Sequence, residues 1–190
     1  MSVRRVGPWS LAAALITASA LVLLLSRRLH DLSADYNKLR LLSTLPHAGT
    51  VVPTFRAATL SGDSITVGEA SDSAARQVLF VFNTTCPYCR AIIPLWHRMT
   101  DSLGRLGRVQ VLAISLDPAD TTERYVAGHA LRYPVLTFPQ AKLERLYRAA
   151  AVPQTVVLDW AGTVLYAKTG TLDPASLDSV YVAVTGRAQP

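Results

Sequence analysis

The chain has 190 residues, half of them hydrophobic and 17% charged, with a formal net charge of +6. The positive charge does not point to nucleic acid: residues 1–44 hold six Lys/Arg against two Asp, and no basic run interleaved with aromatics follows. Nor do the residues favour zinc. There are only two cysteines, and His30, His47, His97 and His129 are scattered without metal-site spacing.

In chain order, residues 9–25 (Trp9 to Leu25) carry no charge, are dominated by Leu and Ala, and lie between Arg4-Arg5 and Arg27-Arg28. As a helix they would run about 25 Å at ~1.5 Å per residue, the short end of a membrane span. Val6 to Pro8 and the snorkelling arginines lengthen it. Ala18-Ser19-Ala20 resembles a signal-peptide cleavage site, but Leu21 to Leu25 continue the apolar run past it, which favours an uncleaved anchor over residues 1–28. Positive charge on both flanks leaves orientation open. Leucines at 29, 32, 39, 42 and 45 predict an amphipathic stalk over residues 29–46, too short for a stable coiled coil.

Gly49 to Phe55, followed by Ala58 to Val67, reads as a strand, a Ser61-Gly62-Asp63 turn and a second strand. The apolar run Val78-Leu79-Phe80-Val81-Phe82 predicts a buried strand, and Thr85-Cys86-Pro87-Tyr88-Cys89 follows almost at once. A Cys-x-x-Cys that opens a helix puts its first sulfur at the unpaired N–H groups of the helix N-terminus, where the thiolate is favoured. Cys86 is then the nucleophile. Cys89, one turn on and on the same face, can resolve a mixed disulfide on Cys86. Pro87 suits the first helical turn. A purely structural disulfide here would close a very short loop and add little stability.

The helix Arg90 to Met99 contains Pro94, which predicts a kink. Beyond it the pattern predicts a strand from Val109 to Leu116, a helix from Thr121 to Ala130, an extended Tyr133 to Leu136 and a helix from Lys142 to Ala149. Ala151-Val152-Pro153-Gln154-Thr155 then leads into a strand, Val156 to Asp159.

Together these features resemble the thioredoxin superfamily over residues 47–190. The proline eight residues beyond Cys86, Pro153 ahead of a strand, the N-terminal hairpin and the 66 residues between Cys86 and Pro153 are similar to its redoxin branch. That branch includes the membrane-anchored thiol-disulfide oxidoreductases of cytochrome c maturation and the peroxiredoxins. The resemblance implies an α/β fold after one N-terminal transmembrane helix. Its mixed central sheet is flanked by helices, with the hairpin in front and an αβ insertion in the middle. It implies a cis Val152–Pro153 bond against the sulfurs, docking of a partner's backbone there, and a rim shaped by Pro87 and Tyr88.

The activity implied is thiol-disulfide exchange with protein thiols or disulfides, in the reducing direction and fed by a membrane electron-transfer partner. No cofactor beyond the redox-active Cys86–Cys89 disulfide is implied. A redox pair that is the whole cysteine complement suits an oxidising compartment, which places the domain outside the cytoplasm on a single-pass cell-membrane anchor.

Some residues depart from the pattern. Phe80 stands where thioredoxin has a buried aspartate that handles protons, Thr85 replaces a common tryptophan, and Gln154 replaces an acidic residue near the proline. The Pro-Tyr dipeptide is typical of glutaredoxins and keeps a glutathione-linked enzyme open; a non-catalytic binding domain is a further reading. Peroxidase activity is not expected, since Leu79 and Asn83 break the Pro-x-x-x-Thr/Ser-x-x-Cys arrangement that holds peroxide.

Overall fold

The computed structural model describes residues 8–186 other than 71, 73 and 74, without the side chains at 8, 10, 11, 14, 34, 35 and 37–43. It divides into two compact units, residues 1–41 and 42–190.

The first unit is made by helix α1 (Pro8–Thr44). No glycine or proline follows Pro8 within it, so nothing breaks the helix where anchor and stalk were expected to part. Leu15, Ile16 and Leu21 to Leu25 all lie between 54% and 70% exposed. Among the described residues no helix is long and apolar enough to cross a membrane, so the expected span over residues 9–25 is not borne out among them. The side chains of Ser10, Leu11 and Ala14, which belong to that segment, lie outside the described residues.

The second unit is α/β. A hairpin of β1 (Phe55–Ala58) and β2 (Ser64–Val67) precedes β3 (Arg76–Phe82), α2 (Pro87–Gly104), β4 (Val109–Ser115) and α3 (Ala119–His129). Then come β5 (Val135–Thr137), α4 (Ala141–Leu146), β6 (Gln154–Leu158), β7 (Val164–Thr169) and α5 (Pro174–Thr185). The main sheet has the order β5-β4-β3-β6-β7. Strands β3, β4 and β5 run parallel, while β6 and β7 join antiparallel, so the sheet is mixed as expected.

Strand β3 sits at the centre and is buried on both faces from Gln77 to Phe82, which explains its unbroken apolar run. The two crossovers β3-α2-β4 and β4-α3-β5 step in one direction, and right-handed crossovers then put α2 and α3 on the same face. Val78, Phe80 and Phe82 pack there with Ile92, Trp96, Met99 and Leu103 of α2, Tyr125 of α3 and Val180 and Val184 of α5. Leu79 and Val81 point the other way, to Phe55 and Val67 of the hairpin and Leu143 of α4.

Three expectations shift in detail. The first hairpin strand begins only at Phe55 (Phe55–Ala58) and not at Gly49; Pro53 lacks an N–H, and residues 49–52 instead form a separate antiparallel bridge of Val51 to Thr163, with the Gly49 and Val52 N–H groups donating to the Val164 and Gly162 carbonyls. The turn does lie at Gly62, whose φ of 94° needs glycine. Helix α4 stops at Leu146 instead of Ala149, because Arg148 takes a left-handed φ of 54°. Helix α2 runs unbroken through Pro94. Strand β7 and helix α5 have no counterpart among the sequence expectations, although Asp173-Pro174 opens α5 as a capped start, with the Ser176 N–H donating to Asp173 Oδ1 at 2.7 Å.

Candidate active site

The carboxyl end of a central parallel strand is where an open α/β sheet gathers chemistry, and β3 delivers both cysteines there. Cys86 is the N-cap of α2 with extended backbone (φ −77°, ψ 116°), and Pro87 occupies the first turn. Its sulfur therefore meets the helix N-terminus: the Cys89 N–H donates to Cys86 Sγ at 3.4 Å. Cys86 is half-buried and Cys89 wholly buried, and both are free thiols.

Val152–Pro153 is the cis bond that the resemblance implied. The Cys86 thiol donates to the Val152 carbonyl at 3.8 Å, so this loop lies directly against the first sulfur. Pro153 is buried and Val152 half-buried; Pro87 and Tyr88 are exposed, Tyr88 at 65%. Val152 and Cys89 thus bond the Cys86 sulfur directly, and Pro87, Tyr88 and Pro153 adjoin these residues in the chain.

Burial pushes the Cys89 thiol up to about 12; a hydrogen bond from the Asn83 backbone opposes this, while the charges of Cys86 and Asp117 add to it. Cys89 is accordingly a thiol at neutral pH until something brings it to react.

Asp117, just past β4, escaped the sequence reading. Its Oδ1 accepts from Asn83 Nδ2 at 2.9 Å and its Oδ2 from the Thr84 N–H at 2.6 Å. Asn83 Oδ1 in turn accepts from the Thr85 N–H at 2.9 Å and the Thr85 hydroxyl at 2.5 Å. One carboxylate and one amide therefore fix the loop that leads into Cys86. The Asp117-Pro118 turn at the end of a strand was the available signal. This also settles what stands three residues before Cys86: Asn83 is committed to the loop and brings no hydroxyl.

Phe80, in place of a buried carboxylate, stacks on Trp96 with centroids 4.7 Å apart and planes 9° from parallel. Trp96 Nε1 donates to Thr155 Oγ1 at 3.1 Å, tying α2 to β6 beneath the site. Gln154 is buried, its Nε2 donating to the Arg148 carbonyl at 3.1 Å.

A model of the AhpC/TSA family matches residues 48–167. No curated protein matches the chain. Among solved structures, a Chlorobium tepidum protein described as a thiol:disulfide interchange protein DsbE aligns at 20% identity and TM-score 0.62, covering 74% of this chain and 99% of that one. StoA from Bacillus subtilis aligns at 18% identity and TM-score 0.57, covering 67% and 96%. A secreted Mycobacterium tuberculosis disulfide oxidoreductase, homologous to Escherichia coli DsbE, aligns at 22% and 0.53, covering 70% and 96%. The shared fold, the matched family and two free thiols at a helix N-terminus lead to one assignment: the chain belongs to the AhpC/TSA family and is a thioredoxin-like oxidoreductase.

Proposed function

We propose that the protein exchanges disulfides with protein substrates through Cys86 and Cys89, as a reductant outside the cytoplasm, held to the membrane by its N-terminal segment. One observation carries the exchange: the half-exposed Cys86 sulfur accepts from the Cys89 N–H while Cys89 stays buried one turn below. In the reducing direction Cys86 Sγ attacks a substrate disulfide, one substrate sulfur leaves as a thiolate, and a mixed disulfide remains. Cys89 then attacks Cys86 Sγ, the second substrate sulfur leaves, and the pair ends oxidised. Val152–Pro153 lies where an incoming backbone would pass the sulfur, and Pro87 and Tyr88 give an exposed apolar rim.

Cys89→Ser should accumulate disulfide-linked protein adducts on Cys86, visible on non-reducing gels and lost with dithiothreitol. If none form, the order of attack is wrong. A reduction potential near about −270 mV supports the reducing direction; one near about −120 mV reverses it.

Membrane attachment rests on the uncharged run of residues 9–25 and on the exposed Leu and Val side chains of that stretch of α1, which water disfavours. The extracytoplasmic placement rests on the cysteine complement. Labelling of intact cells with a membrane-impermeant thiol reagent should reach Cys86; labelling only after lysis contradicts the placement.

A further inference from the structure

The loop from Asn83 to Cys86 carries the nucleophile from the end of β3 to the first turn of α2. Because β3 and β4 are parallel neighbours with Phe82 opposite Ser115, Asp117, two residues past Ser115, arrives beside that loop. Both oxygens of its half-buried carboxylate accept hydrogen bonds there, from the Asn83 amide at 2.9 Å and from the Thr84 N–H at 2.6 Å. Asn83 passes the restraint on: its side-chain oxygen accepts from the Thr85 N–H at 2.9 Å, and its carbonyl accepts from the Cys86 N–H at 3.3 Å. The carboxylate is itself held. The Asp117 N–H donates to Ser115 Oγ at 3.2 Å, and the same oxygen accepts from the buried Thr122 hydroxyl at 2.8 Å. One chain of bonds therefore runs from α3 to the backbone of the nucleophile.

A carboxylate at this place needs a reason, because cysteine attacks as an anion and a nearby negative charge opposes that anion. We propose that Asp117 is a positioning residue for the exchange, holding the Cys86 sulfur on the N-terminus of α2 through Asn83 and Thr84. The inference rests on the Cys86–Cys89 exchange proposed above. Hydrogen bonds to an ionised acceptor are shorter and stronger than neutral ones, which suits a carboxylate to fixing a four-residue loop. A nucleophile held in line with its target gains rate from that placement alone.

The test is a swap cycle on the reduced full chain with dithiobis(nitrobenzoate) in stopped flow. The Cys86 thiolate attacks one sulfur of the reagent and the other leaves as a coloured thiolate, which gives the first phase. Asp117→Asn sets an amide against the Asn83 amide, and Asn83→Asp sets two carboxylates face to face; each should slow the first phase severalfold. The double variant exchanges amide and carboxylate, can remake the same bonds, and should restore the rate.

The reduction potential separates position from charge. A sulfur displaced from the helix N-terminus loses stabilisation of its thiolate, so Asp117→Asn should make the pair more reducing. Removal of a negative charge alone makes it less reducing, and a loss of stability shared by both redox forms leaves the potential where it was. A first phase in Asp117→Asn as fast as in the wild type, a potential that is unchanged or less negative, or a double variant as slow as the single ones overturns the inference. Absence of the first phase from the wild type would overturn the exchange reading instead.

Discussion

The two faces of the central sheet each bury tyrosine, and they treat its hydroxyl differently. On the face covered by the hairpin and α4, Tyr147 is 4% exposed and its hydroxyl donates to the Pro53 carbonyl at 2.8 Å. On the face covered by α2, α3 and α5, the Tyr125 and Tyr133 hydroxyls have no partner among the described residues. All three are raised by burial. The hairpin-face tyrosine is tied into the backbone, whereas the two on the cysteine face bury their hydroxyls without a partner among the described residues. Polar groups left unpaired in a core are concentrated where chemistry must happen.

The largest effect should come from the cysteines. In stopped flow with dithiobis(nitrobenzoate), attack by Cys86 and then by Cys89 should each release one coloured thiol; Cys86→Ser should abolish both phases and Cys89→Ser only the second. Next is the packing of the redox face. Trp96 is 1% exposed, stacked on Phe80 and bonded to Thr155, so Trp96→Ala should cost about 3–5 kcal/mol in urea unfolding. A loss below about 1 kcal/mol would mean that this face is loosely packed.

The tyrosine comparison itself is tested by a pair of conservative variants. Tyr147→Phe should lose about 1 kcal/mol, because it strands the Pro53 carbonyl. Tyr125→Phe should lose nothing, because no bond is broken. Equal losses would erase the distinction between the faces.

Asp117→Asn should move the second-phase pH midpoint slightly downward, since its charge raises the Cys89 thiol. Smallest near neutrality is the pH dependence of stability. The Cys89 thiol is raised from 9.0 to about 12, so the folded reduced protein holds its proton where the unfolded chain has lost it. This contribution is full below pH 9.0 and declines as the pH rises toward about 12. Urea midpoints of the reduced protein should fall over that window, and by less in Cys89→Ala; the raised tyrosines add a loss of the same sign.

Most of this fold is legible because its signals are local. The unbroken apolar run of β3 announces a strand buried on both faces, and Cys86-Pro87 carries a helix start in two residues. The first hairpin strand was misplaced because Val51-Val52 look like strand while Pro53 removes a ladder donor. Helix α4 was drawn too long because nothing in Tyr147-Arg148-Ala149 signals the left-handed turn at Arg148.

The site divides in the same way. Cys86, Cys89, Pro87, Tyr88, Val152 and Pro153 are readable from two short motifs, but Asp117 reaches the loop before Cys86 only through the β3–α2–β4 crossover. Spacing along the chain carries no trace of such neighbours. For α1 the difficulty is reversed: its apolar stretch is plain in sequence, but in the structure those side chains are exposed and nothing described covers them.

The most direct test of the central claim is to treat the reduced full chain with less than one equivalent of iodoacetamide at neutral pH and to locate the label by mass spectrometry. The account predicts alkylation at Cys86, the half-exposed helix cap, with Cys89 unmodified. Label on Cys89 ahead of Cys86 would contradict the division of roles between the two sulfurs.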